Sequence, residues 1–184
     1  MKPAFDPERL DVAAFARAAG ALQGRTPLAA MPRLAEGTTP PADTPLGEAA
    51  WAATGHHRHP AGRPEEIRLH LVASAEVWLT CQRCLQPLRE ALAVDRTLRF
   101  VPGEDEAARL DEEGEEDVLA LPRRLRLSEL LEDELILALP LVPRHAACEP
   151  PRALVEPEPA AEVPVPAEPS PFAVLAGWKA RPGG

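Results

Sequence analysis

From Ile67 to Val101 the chain can form little other than a long hairpin. Ile67, Leu69, Leu71, Ala75, Val77 and Leu79 fall on one phase of a two-residue repeat, with Arg68, His70, Ser74, Glu76 and Thr80 on the other. Alternation of this length is the mark of a strand with one buried face. After Leu79 come Thr80 and the motif Cys81-Gln82-Arg83-Cys84, and then a second alternating run. Leu88, Leu92, Val94, Leu98 and Phe100 are in phase there, with Arg89, Asp95 and Arg99 out of phase. Two such runs joined by a short segment predict an antiparallel pair with the C-x-x-C at its tip. Pro87 follows the tip, where a missing backbone donor is tolerated.

The core must come from aliphatic residues, because aromatics are 4% of the chain and tyrosine is absent. A helix is expected at Val12, Phe15, Ala16 and Ala19, with Asp11 as its N-cap and Gly20 as its stop. Gly24 to Pro45 is rich in Thr, Pro and Gly, which predicts a loop. Leu46 to Thr54, with Trp51, reads as a first short strand. The histidines from Gly55 to Pro60 read as a turn, and a histidine cluster is also a familiar metal donor. A second helix is expected from an N-cap at Ser128, burying Leu127, Leu131, Leu135 and Ala138 and leaving Glu132, Asp133 and Glu134 in water. Pro140 ends it. The fold class is α+β: an antiparallel sheet around a central long hairpin, a helix packed on it, and a disordered proline-rich tail.

Charge is concentrated. The net charge is −9, and the stretch from Glu104 to Asp117 holds nine acids and one arginine, leaving about −1 for the rest. Such a block predicts a solvated, mobile segment, or a patch for a basic partner. No apolar stretch is long enough for a membrane span, and the acidic N-terminus is unlike a signal peptide. Both point to a cytoplasmic protein with no membrane partner. From Glu149 to Pro171 there are eight prolines in 23 residues, the composition of a semi-rigid linker. Phe172, Val174, Leu175 and Trp178 then gather within seven residues, an apolar hook suited to docking on a partner or on the chain's own domain. The division is therefore an N-terminal helix and loop arm over 1–45, an α+β domain over 46–148, a linker over 149–170 and the hook over 171–184.

Three cysteines in a reducing compartment favour metal or redox chemistry over a disulfide framework. Cys81 and Cys84, with His145 and Cys148, make C-x-x-C and H-x-x-C pairs, a donor set suited to tetrahedral zinc. A thioredoxin-like redox pair fits less well, since its motif opens a helix. Phosphate-binding loops and nucleophile elbows are absent, so no catalytic residue is assigned. Arg83 at the hairpin tip, with Arg123 and Arg124, could face RNA. So could Arg89, Arg96, Arg99 and Arg126, but stacking aromatics are missing apart from Trp78.

Three segments together resemble a known family: LTCQRCLQPL at 79–88, LSELLEDELILALPLVPRH at 127–145, and PSPFAVLAGWK at 169–179. Their order and spacing resemble the YceD-like family, the large ribosomal RNA subunit accumulation proteins, over roughly residues 60–179. The resemblance implies a non-catalytic factor in the synthesis, processing or stability of 23S rRNA during large-subunit biogenesis. Its implied partners are that RNA or its processing machinery, such as an endoribonuclease or a ribosomal protein, and not DNA. Some relatives carry a second cysteine pair after the helix, where this chain has His145 and Cys148. Two other classes stay open: a zinc-dependent or redox enzyme using Cys81 and Cys84, and a protein-binding adaptor without RNA contact.

Overall fold

The expected hairpin is the centre of the sheet. In a computed structural model that describes residues 5–59, 65–114 and 116–151, strand β3 (Glu66–Thr80) pairs antiparallel with β4 (Pro87–Val101), in register from Ile67 opposite Phe100 to Thr80 opposite Pro87. The in-phase residues of β3, from Ile67 to Leu79, are all buried. Before it, β1 (Ala21–Pro27) pairs with β2 (Glu48–Arg58), and β2 pairs with β3, both antiparallel. A last short strand, β5 (Asp117–Ala120), pairs with β4 and completes the order β1-β2-β3-β4-β5.

The fold is α+β, and its sheet is mixed. β5 runs parallel to β4, because a helix, α3 (Glu104–Glu113), carries the chain back before β5 begins. That helix is the acidic run, which is therefore not the mobile segment its charge suggested. Glu104, Asp105 and Glu106 occupy its first turn, where the helix dipole favours anions. Arg109 bridges Glu106 and Glu113 at 2.8 and 2.7 Å. Ala107 is buried with Val101 and Val118, so a small apolar cluster holds the helix to the sheet.

The opposite face of the sheet is covered by α1 (Val12–Arg17) and α4 (Leu127–Leu137), with α2 (Pro32–Glu36) packed beside α4. Asp11 caps α1 as expected, accepting from the Ala14 N–H at 3.0 Å. Leu127, Leu131 and Leu135 are almost fully buried, as their four-residue spacing predicts. Each such leucine stabilises the fold by about 1.5–3 kcal/mol. The helix starts two residues earlier than expected, with Arg126 at the cap position. Ser128 donates its hydroxyl proton to Glu8 instead of capping.

Two expected loops are ordered elements. Gly24 to Pro45 holds most of β1, a single 3-10 turn (Leu28–Ala30) and α2. Leu28, Met31 and Leu34, at three-residue spacing, are at most 1% exposed and supply the lower core. The prolines that suggested a loop mark ends: Pro27 closes β1, and Pro32 opens α2, a position where a proline lacks nothing. The histidine segment is the continuation of β2, with His57 opposite Ile67. Gly55 lets this strand pass under α1. A Cβ there would come within 2.8 Å of the Ala16 Cα.

The chain divides at Glu149 into two units, and the elements above belong to the first. The proline-rich segment beyond Pro151 and the apolar residues Phe172, Val174, Leu175 and Trp178 lie outside the described residues.

A candidate metal centre at the hairpin tip

The turn between β3 and β4 is shaped to aim backbone N–H groups at one sulfur. The Leu85 N–H donates to the Cys81 carbonyl at 2.9 Å, and the Cys81 N–H to the Gln86 carbonyl at 3.0 Å. Leu85 sits at φ +58°, in the left-handed region that a branched side chain rarely adopts, which costs about 1–2 kcal/mol. This knuckle leaves Cys81 fully buried and Cys84 nearly so.

The segment after α4 forms a strap across the tip. Pro140 ends the helix and Pro143 keeps the backbone extended, so the chain cannot coil away. The Pro143 carbonyl accepts from the Gln82 N–H at 2.9 Å. His145 donates its N–H to the Cys81 sulfur at 3.4 Å, and Arg83 donates to the Cys148 carbonyl at 3.3 Å. The strap thereby sets His145 Nδ1 at 3.3 Å from Cys84 Sγ, and Cys148 Sγ at 3.7 Å from Cys81 Sγ.

All four donor atoms lie within 4.8 Å of one another. An ion with zinc–sulfur bonds of about 2.3 Å in a tetrahedron separates its sulfurs by roughly 3.8 Å. The Cys81–Cys148 separation matches that edge. The chemistry of the set, three thiols and one imidazole, fits zinc and would close its coordination shell.

The electrostatics prepare the site for a cation. Burial opposes the Cys81 thiolate, but the N–H groups of Cys84, His145 and Arg83 outweigh it and lower the Cys81 pKa to about 5. Burial and the adjacent sulfurs of Cys81 and Cys84 push Cys148 up to about 11. Crowded thiols that cannot all ionise alone are what a divalent ion relieves.

Among the described residues no other group of three or more such donors converges. The histidines of β2 do not gather: His56 meets Thr54, and His57 meets Glu65 across an exposed edge. The arginines considered for RNA are spread, and most are engaged; the Arg123 side chain makes no ion pair among the described residues. Arg83 braces the strap, and Arg124 lies 3.4 Å from Asp11 and donates to the Arg123 carbonyl. Arg89 pairs with Glu76, Arg99 with Glu116, and Arg126 with Glu8 and Glu129.

The sequence reading missed what the acids of α4 do. Glu132 and Glu134 are 5% and 7% exposed, against an expected wet face. Glu132 accepts from the N–H groups of Arg33 and Leu34 at 2.7 and 3.1 Å and from the Arg33 guanidinium at 2.9 Å. Its carboxylate thus caps the start of α2, which has no side-chain cap of its own. Glu134 lies 3.5 Å from Arg96, which occupies the core-facing phase of β4. One signal was legible: Glu134 follows Leu130 by four residues and Leu127 by seven, inside the apolar stripe.

The model of the family described as "Large ribosomal RNA subunit accumulation protein YceD" matches residues 69–179. A curated protein of Haemophilus influenzae bearing that same description is 38% identical over 112 residues, 58% of this chain and 62% of the relative. The chain thus spans about three fifths of that relative's length. No solved structure matches the chain.

Proposed function

The chain belongs to the YceD family of large ribosomal RNA subunit accumulation proteins, and on that premise we propose that it is a non-catalytic cytoplasmic factor supporting the synthesis, processing or stability of 23S rRNA. The observation that carries this reading is the extent of the family match. It runs from β3 through the hairpin tip, α4 and the strap, and on to residue 179. The tip centre and the apolar C-terminal segment are therefore both within the family's shared unit.

In this reading Cys81, Cys84, His145 and Cys148 hold a structural zinc ion that fixes the strap to the hairpin tip. Four protein donors leave no coordination position for a substrate, which favours a structural role over a catalytic one. A thioredoxin-type use of the pair is disfavoured because β4, not a helix, follows Cys84. Phe172, Val174, Leu175 and Trp178, within the hook over 171–184, form a partner-binding element beyond the linker over 149–170. Among the described residues no helix is long and apolar enough to cross a membrane.

The partner is 23S rRNA or its processing machinery, such as an endoribonuclease or a ribosomal protein. The pairing of Arg89, Arg99 and Arg124 with acids favours a protein contact over direct RNA contact, since a paired guanidinium contributes less to phosphate binding. Truncation after Glu168 tests the arrangement. It is expected to leave the melting temperature unchanged and to lower large-subunit rRNA in cells. A lower melting temperature with normal rRNA levels would place the segment's role in the chain's own stability instead.

A further inference from the structure

Of the three thiols in the tip centre, Cys148 alone is partly exposed, while Cys81 and Cys84 are buried. Cys148 is also the cysteine on the strap, 67 residues along the chain from its neighbour Cys81. Cys84 has a different partner, His145 at 3.3 Å. Among the contacts that attach the strap to the tip, the Cys81–Cys148 pair is the one whose sulfur an oxidant can reach from one side.

We propose that Cys81 and Cys148 are a peroxide-sensitive pair, so that oxidation replaces an ion-held strap by a disulfide-held one. This rests on the zinc reading for the ion and on the sulfur geometry for the pair. In the first step Cys148, which the bound ion would hold as its thiolate, attacks a peroxide oxygen. The O–O bond breaks, hydroxide leaves, and Cys148 becomes a sulfenic acid. In the second step the Cys81 thiolate attacks the Cys148 sulfur, the S–O bond breaks, and a second hydroxide leaves. One S–S bond has formed, each sulfur has lost one electron, and the peroxide has been reduced by two electrons, its hydroxides taking up protons as water. The sulfurs, 3.7 Å apart, close by roughly 1.7 Å to reach bonding distance.

The consequence differs from metal loss. Removing the ion under reducing conditions leaves the strap on its hydrogen bonds alone. Oxidation removes two of the four donors, so zinc is released, yet the strap remains covalently fixed. Cys84 and His145 are left free. The centre then reports peroxide by losing zinc without unfolding the tip.

The test uses the 184-residue chain purified with zinc and treated with hydrogen peroxide. Zinc release is followed with a chromogenic chelator, thiols are counted, and disulfides are mapped after tryptic digestion. Cleavage after Arg68, Arg83, Arg89, Arg144 and Arg152 puts the three cysteines on separate peptides. The expected result is zinc release with loss of two of the three thiols, and a crosslink joining peptide 69–83 to peptide 145–152. The oxidised protein is expected to melt above the chelated, reduced protein. A crosslink from peptide 69–83 to peptide 84–89, sulfinic acid without any crosslink, or equal melting of the two forms would overturn the proposal. A preparation that carries no zinc defeats the metal reading alone, and the peptide map still decides the cysteine pair.

Discussion

Cys84→Ser is expected to purify without zinc and to melt about 10 °C below the native protein. The geometry gives the reason. Cys84 shares the centre with Cys81, His145 and Cys148, all four donor atoms within 4.8 Å. A serine hydroxyl is a poor zinc ligand at neutral pH, and three remaining donors leave the shell open. An ion that binds only the folded form stabilises it by about 3–4 kcal/mol when free zinc exceeds its Kd by 100- to 1,000-fold. For a domain of about 150 residues each kcal/mol moves the melting temperature by about 2–4 °C. Chelation of the native protein should reproduce the shift. The sheet has its own aliphatic core, so the variant should keep its strand signal in circular dichroism. Native and variant proteins that melt together would remove the structural role of the ion.

The second large effect is expected at Glu132. Glu132→Ala removes the acceptor for the Leu34 N–H, which is then buried unpaired, and leaves Arg33 with Asp133 as its remaining acid. Leaving such groups unsatisfied costs about 3 kcal/mol. Urea unfolding measures this, and a loss below about 1 kcal/mol would mean that the latch between α2 and α4 is replaceable by water. The pH dependence carries a sign. Burial raises the Glu132 pKa, but the Leu34 N–H and the Arg33 guanidinium and N–H outweigh it and hold it below 4.5. Its stabilisation is therefore complete above pH 4.5 and is lost as pH falls through the lowered folded value. The native protein should lose more stability on acidification than Glu132→Ala does. Glu134 has the opposite sign. Burial raises its pKa above 4.5, with Arg96 opposing. Its contribution is present below pH 4.5 and is lost as pH rises through the folded value.

The two acids also show what a sequence of this kind reveals. The hairpin was legible because period-two alternation over fifteen residues has one physical reading, and each in-phase side chain of β3 is buried. The apolar face of α4 was legible for the same reason at helical spacing. The latch was not, because Arg33 lies 99 residues from Glu132 in a stretch whose prolines and glycines read as a loop. Those residues fix the ends of β1 and α2, and the buried Leu28, Met31 and Leu34 between them are too few to show a period. The acidic run misled in another way. Its charge dominates the composition, while the apolar residues that bind α3 to the sheet, Ala107 and Leu110, are only two. The four donors of the tip centre could be named from residue type, since thiol and imidazole chemistry needs no fold. Their convergence could not, because it depends on Pro140 and Pro143 turning the strap back onto Gln82.

The proposed role in large-subunit rRNA accumulation depends on the centre at the hairpin tip. The most direct measurement is the ratio of large- to small-subunit rRNA in cells lacking the native protein, supplied with either the native chain or the Cys81→Ser, Cys84→Ser double variant at matched protein levels. The native chain should restore the ratio, and the double variant should leave it low. A double variant that restores the ratio fully would contradict a role for the centre in rRNA accumulation.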